Sequence, residues 1–373
     1  MELKKEKLAE TLQELVRIPS FRDSLKVSGY AKDQLEDSGF DAWSDRDGNL
    51  IAEKGRGPGF LLNAHMDTVE AGEGWKHDPF GGEMEKGKVY GRGASDCKAG
   101  VAALLRIADV MKKMKLRKRV VFTLTAFEEG YPVEKNGVYR ILPKLKDIEK
   151  GLVLEPTTKG KTIGIAVGCR GTMRARIEIL GKRGHSAYTE ISDNPIHMFP
   201  AFMRELEKLP RNTMKTDIIH DEIGERITVT EICAREGGNV TPSKCELITD
   251  SRLVPSTDPD KAFSELEKAC KKSLGNRFRI EKYVANRGYI HEDRDFLSLC
   301  RESAEAAGAV PRPFFERARI DGTIFSNFGG IGTFMMGPGD ISMAHKPEEH
   351  CSVEELHLAA RAVLEVTGRS VCS

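Results

Sequence analysis

Residues 59–68, GFLLNAHMDT, join a short apolar run to polar side chains. Phe60-Leu61-Leu62 is typical of a buried strand, and Asn63-Ala64-His65 follows it directly. Ligands of open α/β sheets bind beyond the carboxyl ends of the strands. We therefore expect a core strand that carries His65 to a functional edge of the sheet. The spacing of two places Asp67 on the same face as His65, where it can accept the second ring N–H of the histidine.

Two further segments repeat this arrangement of an apolar strand followed by an acidic residue. Val120–Leu124 predicts a buried strand with Glu128 and Glu129 beyond its end. Gly151–Leu154 predicts another, which runs directly into Glu155. Three candidate ligand positions at strand ends indicate one common site.

Asp96, which precedes a helical pattern, and His345 complete a set of possible metal ligands: His65, Asp96, Glu129, Glu155 and His345. A centre for two divalent ions needs a bridging carboxylate and about two further ligands for each ion. Glu128 adds a carboxylate where a general base should stand. Taken singly, Asp96 could be a helix N-cap and the glutamate pair a solvated loop pair. The joint occurrence of all five favours a dinuclear hydrolytic centre.

Composition restricts the class of protein. A chain of 373 residues predicts two domains or one large α/β domain with an insertion. Lysine plus arginine (58) nearly cancels aspartate plus glutamate (57), so we expect no nucleic-acid partner. The charged start of the chain and the lack of a long apolar run predict a cytoplasmic protein without a membrane partner. Eight dispersed cysteines without C-x-x-C spacing indicate reduced thiols rather than a thiolate zinc site.

Periodicity predicts a discontinuous α/β domain that surrounds an insertion. Its predicted elements are helices over Lys4–Arg17 and Ser24–Asp37, a hairpin over Phe40–Lys54, a helix after Asp96, a helix over Arg294–Ala307, a strand over Gly332–Met336 and a helix over Val353–Thr367. The insertion follows the ferredoxin-like order βαββαβ, with elements over Ile163–Leu180, Pro195–Leu209, Arg226–Ala234, Lys244–Val254, Asp258–Leu274 and Arg277–Val284. We expect one domain from residues 1–160 and 287–373, and a second from residues 161–286.

Six motifs carry a resemblance to a known family: NAHMDT (63–68), GRGASDCKAG (91–100), EEG (128–130), EPT (155–157), GHSA (184–187) and AHKPEE (344–349). The series resembles the acetylornithine deacetylase, succinyl-diaminopimelate desuccinylase, aminoacylase and glutamate carboxypeptidase family of dinuclear zinc hydrolases. The resemblance covers the chain from about Leu15 to Val366. It implies a mixed-sheet, zinc-peptidase-like α/β catalytic domain with an inserted ferredoxin-like lid and dimerisation domain.

The resemblance also implies roles for the candidate ligands. Asp96 would bridge two Zn²⁺ ions, which Co²⁺ or Mn²⁺ could replace. His65 and Glu155 would complete one site, and Glu129 and His345 the other. Glu128 would be the general base that activates the bridging water, with Asp67 as the orienting acid. A cis peptide bond between Asp96 and Cys97 is a further feature of the family.

Five more residues acquire roles from the resemblance. His185 would reach the active site of the partner in a homodimer formed through the inserted domain, and would stabilise the oxyanion. Asn239 and Arg252 would bind the substrate carboxylate. Gly322 and Thr323 belong to a loop whose backbone amides would hold that carboxylate.

The implied reaction is hydrolysis of the amide of an N-acyl amino acid in amino-acid metabolism, as in acetylornithine deacetylase or succinyl-diaminopimelate desuccinylase. A metallocarboxypeptidase or dipeptidase of the same family is the alternative, and a catalytically silent binding protein on the same scaffold is a distant one. Cys97, Ala99 and Glu348 depart from the family pattern of methionine, glycine and asparagine, which leaves every ligand in place. We expect the Cys97 thiol to be packed and inert.

Overall fold

The computed structural model describes residues 3–129 and 133–372. Its α-helices are α1 Lys5–Val16, α2 Leu25–Asp37, α3 Lys98–Met111, α4 Gly137–Ile141, α5 Pro195–Leu206, α6 Pro259–Leu274, α7 Arg294–Ala306, α8 Gly322–Gly329 and α9 Val353–Val371. No helix in these ranges has the length and apolar character that crossing a bilayer requires.

The strands are β1 Asp41–Ser44, β2 Leu50–Lys54, β3 Gly59–His65, β4 Met84–Glu85, β5 Lys88–Tyr90, β6 Arg119–Thr125, β7 Ile148–Pro156, β8 Thr158–Lys159, β9 Thr162–Cys169, β10 Gly171–Leu180, β11 Gly184–His185, β12 Thr213–Thr216, β13 Ile219–Gly224, β14 Arg226–Cys233, β15 Val240–Thr241, β16 Lys244–Leu253, β17 Phe278–Asn286, β18 Tyr289–Ile290, β19 Val310–Glu316, β20 Gly332–Gly337 and β21 His350–Ser352.

The chain folds into two compact units. The large unit consists of the residues up to Gly168, His291–Phe314 and the residues from Ile320 on. The small unit consists of Cys169–Ile290 and Phe315–Arg319. These boundaries differ by several residues from the expected boundaries at 161 and 286.

The large unit is built on a mixed sheet, as the sequence predicts. Its strand order is β1-β2-β6-β3-β7-β20-β9. The central strands β6, β3, β7 and β20 are parallel, whereas β1, β2 and β9 pair antiparallel with their neighbours. Every residue of β3 is buried, because strands at the centre of a parallel sheet are covered on both faces.

Alternate residues of the central strands pack on opposite faces of this sheet. Leu61 and Val121 belong to a buried cluster that includes Ile141 of α4 and Phe325 of α8. On the opposite face, the Phe60 ring meets an aromatic ring of α7 edge to face, and α3 packs against β3. This period-two alternation determines on which face of the sheet each side chain lies.

The small unit has the predicted order βαββαβ. Strands β14-β16-β10-β17 form an antiparallel four-stranded sheet, and α5 and α6 lie against it. A hairpin of β12 and β13 is an addition that the sequence pattern did not indicate.

The predicted continuous strand over Ile163–Leu180 is wrong, because the chain changes sheets within it. β9 pairs with β20 in the large unit, while β10 begins after Arg170 in the sheet of the small unit. At the change, a Cβ on Gly171 would lie 2.6 Å from the carbonyl oxygen of Asn286, so this crossing requires glycine. An apolar pattern does not show which sheet a strand joins, because strands of both sheets have at least one buried, apolar face.

Candidate metal centre

Two neighbouring strands bring the first pair of candidate ligands together. In the parallel pair β3 and β7, Asn63 lies opposite Val153, so His65 and Glu155 both stand at the carboxyl ends of their strands. The Nε2 atom of His65 lies 3.7 Å from Oε2 of Glu155. Both side chains are almost fully buried.

Asp96 stands between two histidines. Its Oδ1 atom lies 3.0 Å from Nε2 of His65, and its Oδ2 atom lies 3.4 Å from Nε2 of His345. Each carboxylate oxygen therefore faces a different imidazole, as bridging of two ions requires. The peptide bond between Asp96 and Cys97 is cis, as the resemblance implies.

Glu129 and His345 form the second group with Asp96. Oε1 of Glu129 lies 2.7 Å from Nε2 of His345. The possible ligand atoms of each group, His65, Asp96, Cys97 and Glu155 in one and Asp96, Glu129 and His345 in the other, lie within 4.8 Å of one another. The side chain of His65 is 1% exposed and that of His345 is 51% exposed, so only the second group opens to solvent.

The electrostatics of these groups fit two bound cations. Burial raises the pKa of Glu155 to about 7 even though His65 opposes the shift, which shows the cost of enclosing this carboxylate. Hydrogen bonds to Asp96 and Glu129 raise the pKa of His345 to about 10. Three carboxylates and two imidazoles suit zinc or another divalent ion that accepts nitrogen and oxygen ligands.

Cys97 lies within reach of the first group, and its thiol contacts the main chain. The Sγ atom donates to the carbonyl oxygen of Leu154 at 2.9 Å. Burial raises the pKa of the Cys97 thiol well above its usual value. The Cys97 side chain is therefore packed against the main chain of β7.

The role of Asp67 differs from the predicted one in the atoms involved. The backbone carbonyl oxygen of Asp67 lies 2.9 Å from Nδ1 of His65, whereas its carboxylate lies 3.7 Å away, beyond hydrogen-bond range. The carboxylate instead accepts the backbone N–H groups of Glu128 at 3.2 Å and Glu129 at 3.0 Å. Asp67 thus fixes His65 with its main chain and the glutamate pair with its side chain.

Glu349 has a structural role at the site that the sequence did not reveal. Its carboxylate accepts the backbone N–H groups of Gly93, Ser95 and Asp96 at 2.9–3.1 Å. It also accepts Nη1 of the buried Arg92 at 2.6 Å. Glu349 thereby holds the loop that presents the bridging carboxylate. In the sequence, only its position in the AHKPEE motif suggested that Glu349 has a role at the site.

Glu348, one of the three departures from the family pattern, contacts a distant segment of the chain and none of the candidate ligands. Its carboxylate accepts the backbone N–H of Lys76 at 2.7 Å and lies 2.7 Å from Nδ1 of His77. The glutamate at position 348 therefore connects the AHKPEE motif, which contains His345, to the segment around residue 76.

Gly322 and Thr323 are buried at the start of α8. The amide of Thr323 donates to the carbonyl oxygen of Ile320 at 2.9 Å, so this amide is engaged within the turn rather than offered to a ligand. Asp321 precedes them and accepts hydrogen bonds from Thr125 and Asn136 at 2.7 and 2.9 Å.

The other predicted site residues lie in the small unit. His185 and Asn239 are in contact, with Nε2 of the histidine 2.8 Å from Nδ2 of the asparagine. Arg252 instead donates to Asp250 at 2.7 Å and to Thr172 at 3.4 Å.

A mixed α/β sheet with two groups of possible metal ligands that share an aspartate is the arrangement expected of a metal-dependent hydrolase. The model of peptidase family M20/M25/M40 matches residues 61–368, and the chain belongs to this family. Members act on amide bonds, so the chain is a hydrolase of this kind.

Relatives and solved structures agree with this assignment. The chain is 30% identical to a succinyl-diaminopimelate desuccinylase of Acidiphilium cryptum over 337 residues, 86% of this chain and 85% of the relative. The structure resembles an M20 family metallo-carboxypeptidase from Sulfolobus solfataricus, with a TM-score of 0.79, 19% identity and coverage of 96% and 98%. It also resembles a Bacillus subtilis protein described as a dinuclear metal-binding peptidase of family M20, with a TM-score of 0.74, 16% identity and coverage of 98% of each chain.

Proposed function

We propose that this chain hydrolyses the amide of an N-acyl amino acid, as acetylornithine deacetylase or succinyl-diaminopimelate desuccinylase does, with two Zn²⁺ ions. The observation that carries the proposal is the Asp96 carboxylate, whose two oxygens face the imidazoles of His65 and His345 at 3.0 and 3.4 Å. Similarity to the desuccinylase of Acidiphilium cryptum supports this choice of substrate class.

His65 and Glu155 would hold one ion and Glu129 and His345 the other, with Asp96 shared between them. When bound there, such ions would supply Lewis-acid chemistry, which polarises an amide carbonyl and lowers the pKa of water. The exposed His345 side marks the approach for substrate, because the His65 group is buried.

The proposed role of Glu128 is proton transfer. Its carboxylate would take a proton from the attacking water and later return it to the leaving amine. The backbone N–H of Glu128 donates to the Asp67 carboxylate, which restrains the turn that carries the base. Removal of that carboxylate should therefore disturb the base and the adjacent ligand together.

We further propose that the chain acts in the cytoplasm as a homodimer formed through its small unit. In that assembly, His185 of one subunit would stabilise the oxyanion in the active site of the other, and Asn239 and Arg252 would bind the substrate carboxylate. Light scattering of the purified chain tests this arrangement, and a monomer at working concentration would contradict it.

The decisive experiment is a screen for amine release by the zinc-loaded chain. The panel pairs N-acetyl and N-succinyl derivatives of ornithine, diaminopimelate and lysine with dipeptides of the same amino acids. We expect turnover of N-acyl amino acids and little of dipeptides. Preferred turnover of dipeptides would support the peptidase alternative, and no amine from any substrate would indicate a silent binding protein.

Asp96→Asn supplies a control for the metal centre. The variant keeps the shape of the side chain but loses the charge that both ions would share. We expect its bound zinc, measured by atomic emission after dialysis, to fall well below that of the unmodified chain. Unchanged zinc content would contradict the bridging role.

A further inference from the structure

The small unit contains a cavity on the helix side of its sheet. The cavity has a volume of about 350 Å³, and its walls come from the segment after α5, the start of α6 and strands β14 and β16. Pockets that bind small ligands have volumes of about 300–1,000 Å³. None of the described residues that line this cavity belongs to the predicted catalytic or substrate-binding set. The cavity is therefore large enough for a small ligand of its own.

Strand register explains why one wall of the cavity is largely apolar. Ser251 of β16 lies opposite Met173 of β10, and Met173 belongs to the core that contains Phe202 of α5. Ile227 of β14 lies opposite Ser251 on its other side. Directly paired residues of neighbouring strands lie on the same face, and so does Leu253, two residues after Ser251. Ile227 and Leu253 therefore present apolar surface to the cavity, with the Ser251 hydroxyl between them.

The hydroxyl group of Ser251 is an unused hydrogen-bond donor in this wall. The residue is 3% exposed. In the described part of the chain, its Oγ atom is buried without a hydrogen-bond partner. Burial of a hydroxyl group without a partner is unfavourable. An acceptor supplied by a ligand would therefore improve this wall of the cavity.

Two cationic side chains line the cavity from exposed positions. They are Arg211, in the segment after α5, and Lys261, in the first turn of α6. Within residues 3–129 and 133–372, neither side chain forms an ion pair or a hydrogen bond. Both are long and flexible, and both carry a positive charge at neutral pH. They are therefore available to an anionic ligand.

The acidic residues of the cavity already have partners. The Glu225 carboxylate accepts backbone N–H groups from two neighbouring segments, at 2.9 and 3.3 Å. The Glu265 carboxylate accepts Nζ of Lys268 at 2.7 Å, although Lys261 lies one turn before it on α6. The two cations of the cavity therefore lack a paired carboxylate.

We propose that this cavity binds an aliphatic monocarboxylate. The carboxylate would accept hydrogen bonds from the Ser251 hydroxyl and from the side chains of Arg211 and Lys261. The hydrocarbon chain would cover the apolar surface of Ile227 and Leu253. This binding site goes beyond the proposed amidohydrolase function, because it uses neither the metal ligands nor the predicted substrate-binding residues.

Calorimetric titration of the full chain with butyrate, hexanoate, 1-hexanol and hexylamine tests the proposal. Each titration is made with zinc bound and again after zinc is removed, so that binding at the metal centre can be recognised. We expect hexanoate to bind about tenfold more tightly than butyrate, because two further methylene groups are buried. Hexanol and hexylamine should bind at least about tenfold more weakly than hexanoate, because they lack the negative charge. Both preferences should be the same with and without zinc.

Two variants remove the proposed contacts, Ser251→Ala and the double variant Arg211→Gln with Lys261→Gln. The matched control is Arg204→Gln with Lys271→Gln, which makes the same change of charge at exposed residues of α5 and α6 outside the cavity. The double variant should lose the preference for hexanoate over hexanol, and the control should keep it. Ser251→Ala should weaken hexanoate binding about tenfold. It should not lower the stability of the ligand-free chain to urea, because the hydroxyl has no partner to lose.

Three results would overturn the proposal. They are equal affinities for butyrate and hexanoate, undiminished hexanoate binding in both variants, and an equal loss of binding in the control. Failure of the hydrolase proposal has a different signature, because a chain that binds hexanoate in the cavity but releases no amine contradicts only the enzymatic assignment. Amine release without hexanoate binding contradicts only the cavity.

Discussion

Glu349→Gln tests whether a buried carboxylate outside the ligand set organises the metal centre. The substitution keeps the size of the side chain and removes its charge. Arg92 would then be left with an uncompensated charge in a site where the two side chains are 2% and 1% exposed. The loop that ends at Asp96 would lose its strongest acceptor, since three of its backbone N–H groups now donate to Glu349.

The expected loss of stability is large because the ion pair is enclosed. Removal of one partner of a buried pair costs about 3–5 kcal/mol in the free energy of unfolding. The matched control is Glu354→Gln, in which the pair with Lys5 is exposed and worth about 0–1 kcal/mol. We also expect zinc affinity to fall by about 10–100-fold in Glu349→Gln, the usual effect of losing a group that orients a ligand.

Urea unfolding of the metal-free chain, followed by circular dichroism, measures the first effect without the stabilisation that bound metal adds. Competition with a chromogenic chelator measures the second. The double variant Arg92→Met with Glu349→Gln should unfold less readily than Glu349→Gln alone, because it keeps the amide oxygen as an acceptor for the loop and leaves no unpaired charge in the interior. The reasoning fails if Glu349→Gln lies within about 1 kcal/mol of the parent, or if the double variant is the less stable of the two.

Three further predictions concern the same centre. Glu128→Gln should bind zinc normally yet lose at least about 10³-fold in kcat, because the proton acceptor is gone; near-normal turnover would refute the role of the base. Zinc binding at pH 7 should release protons. Nearby carboxylates raise the pKa of His65 well above its usual value and that of His345 to about 10. Both imidazoles must lose a proton before they can bind metal. The uptake enthalpy should therefore change with the ionisation enthalpy of the buffer, and the apparent affinity should rise with pH up to about the pKa of His345. Asp67→Asn should lower both kcat and zinc affinity, since the N–H groups of Glu128 and Glu129 donate to different carboxylate oxygens and the amide replaces one of these oxygens with a donor; an effect on neither would contradict the orienting role.

The candidate ligand set could be predicted from the sequence because each of these residues lies at a fixed place in a local pattern. His65 follows an apolar run that forms a buried strand, and Glu155 ends another. The carboxyl ends of parallel strands lie at the same edge of a sheet, so recognition of both strands was enough to predict that His65 and Glu155 lie close together. The βαββαβ order of the small unit was readable for a similar reason, since each element has its own periodicity.

Contacts that depend on backbone geometry could not be predicted from the sequence. The spacing of two between His65 and Asp67 correctly placed them close together, but it could not show that the carbonyl rather than the carboxylate reaches the ring. The engagement of the Thr323 amide within its turn is a similar case. Such choices depend on differences of less than an ångström in the course of the main chain.

The sequence by itself determined most of the strand and helix pattern, the five candidate ligands and the family, because these are encoded in short segments whose physical preferences are local. Only the tertiary structure decided which groups, distant in the sequence, contact these segments. Glu349 meets residues 93–96 across more than 250 positions of chain, and Arg226 meets Arg252 through strand register. The change of sheet at Arg170 belongs to the same category. Long-range pairing is selected by the packing of the whole core, and no short segment of the chain contains that information.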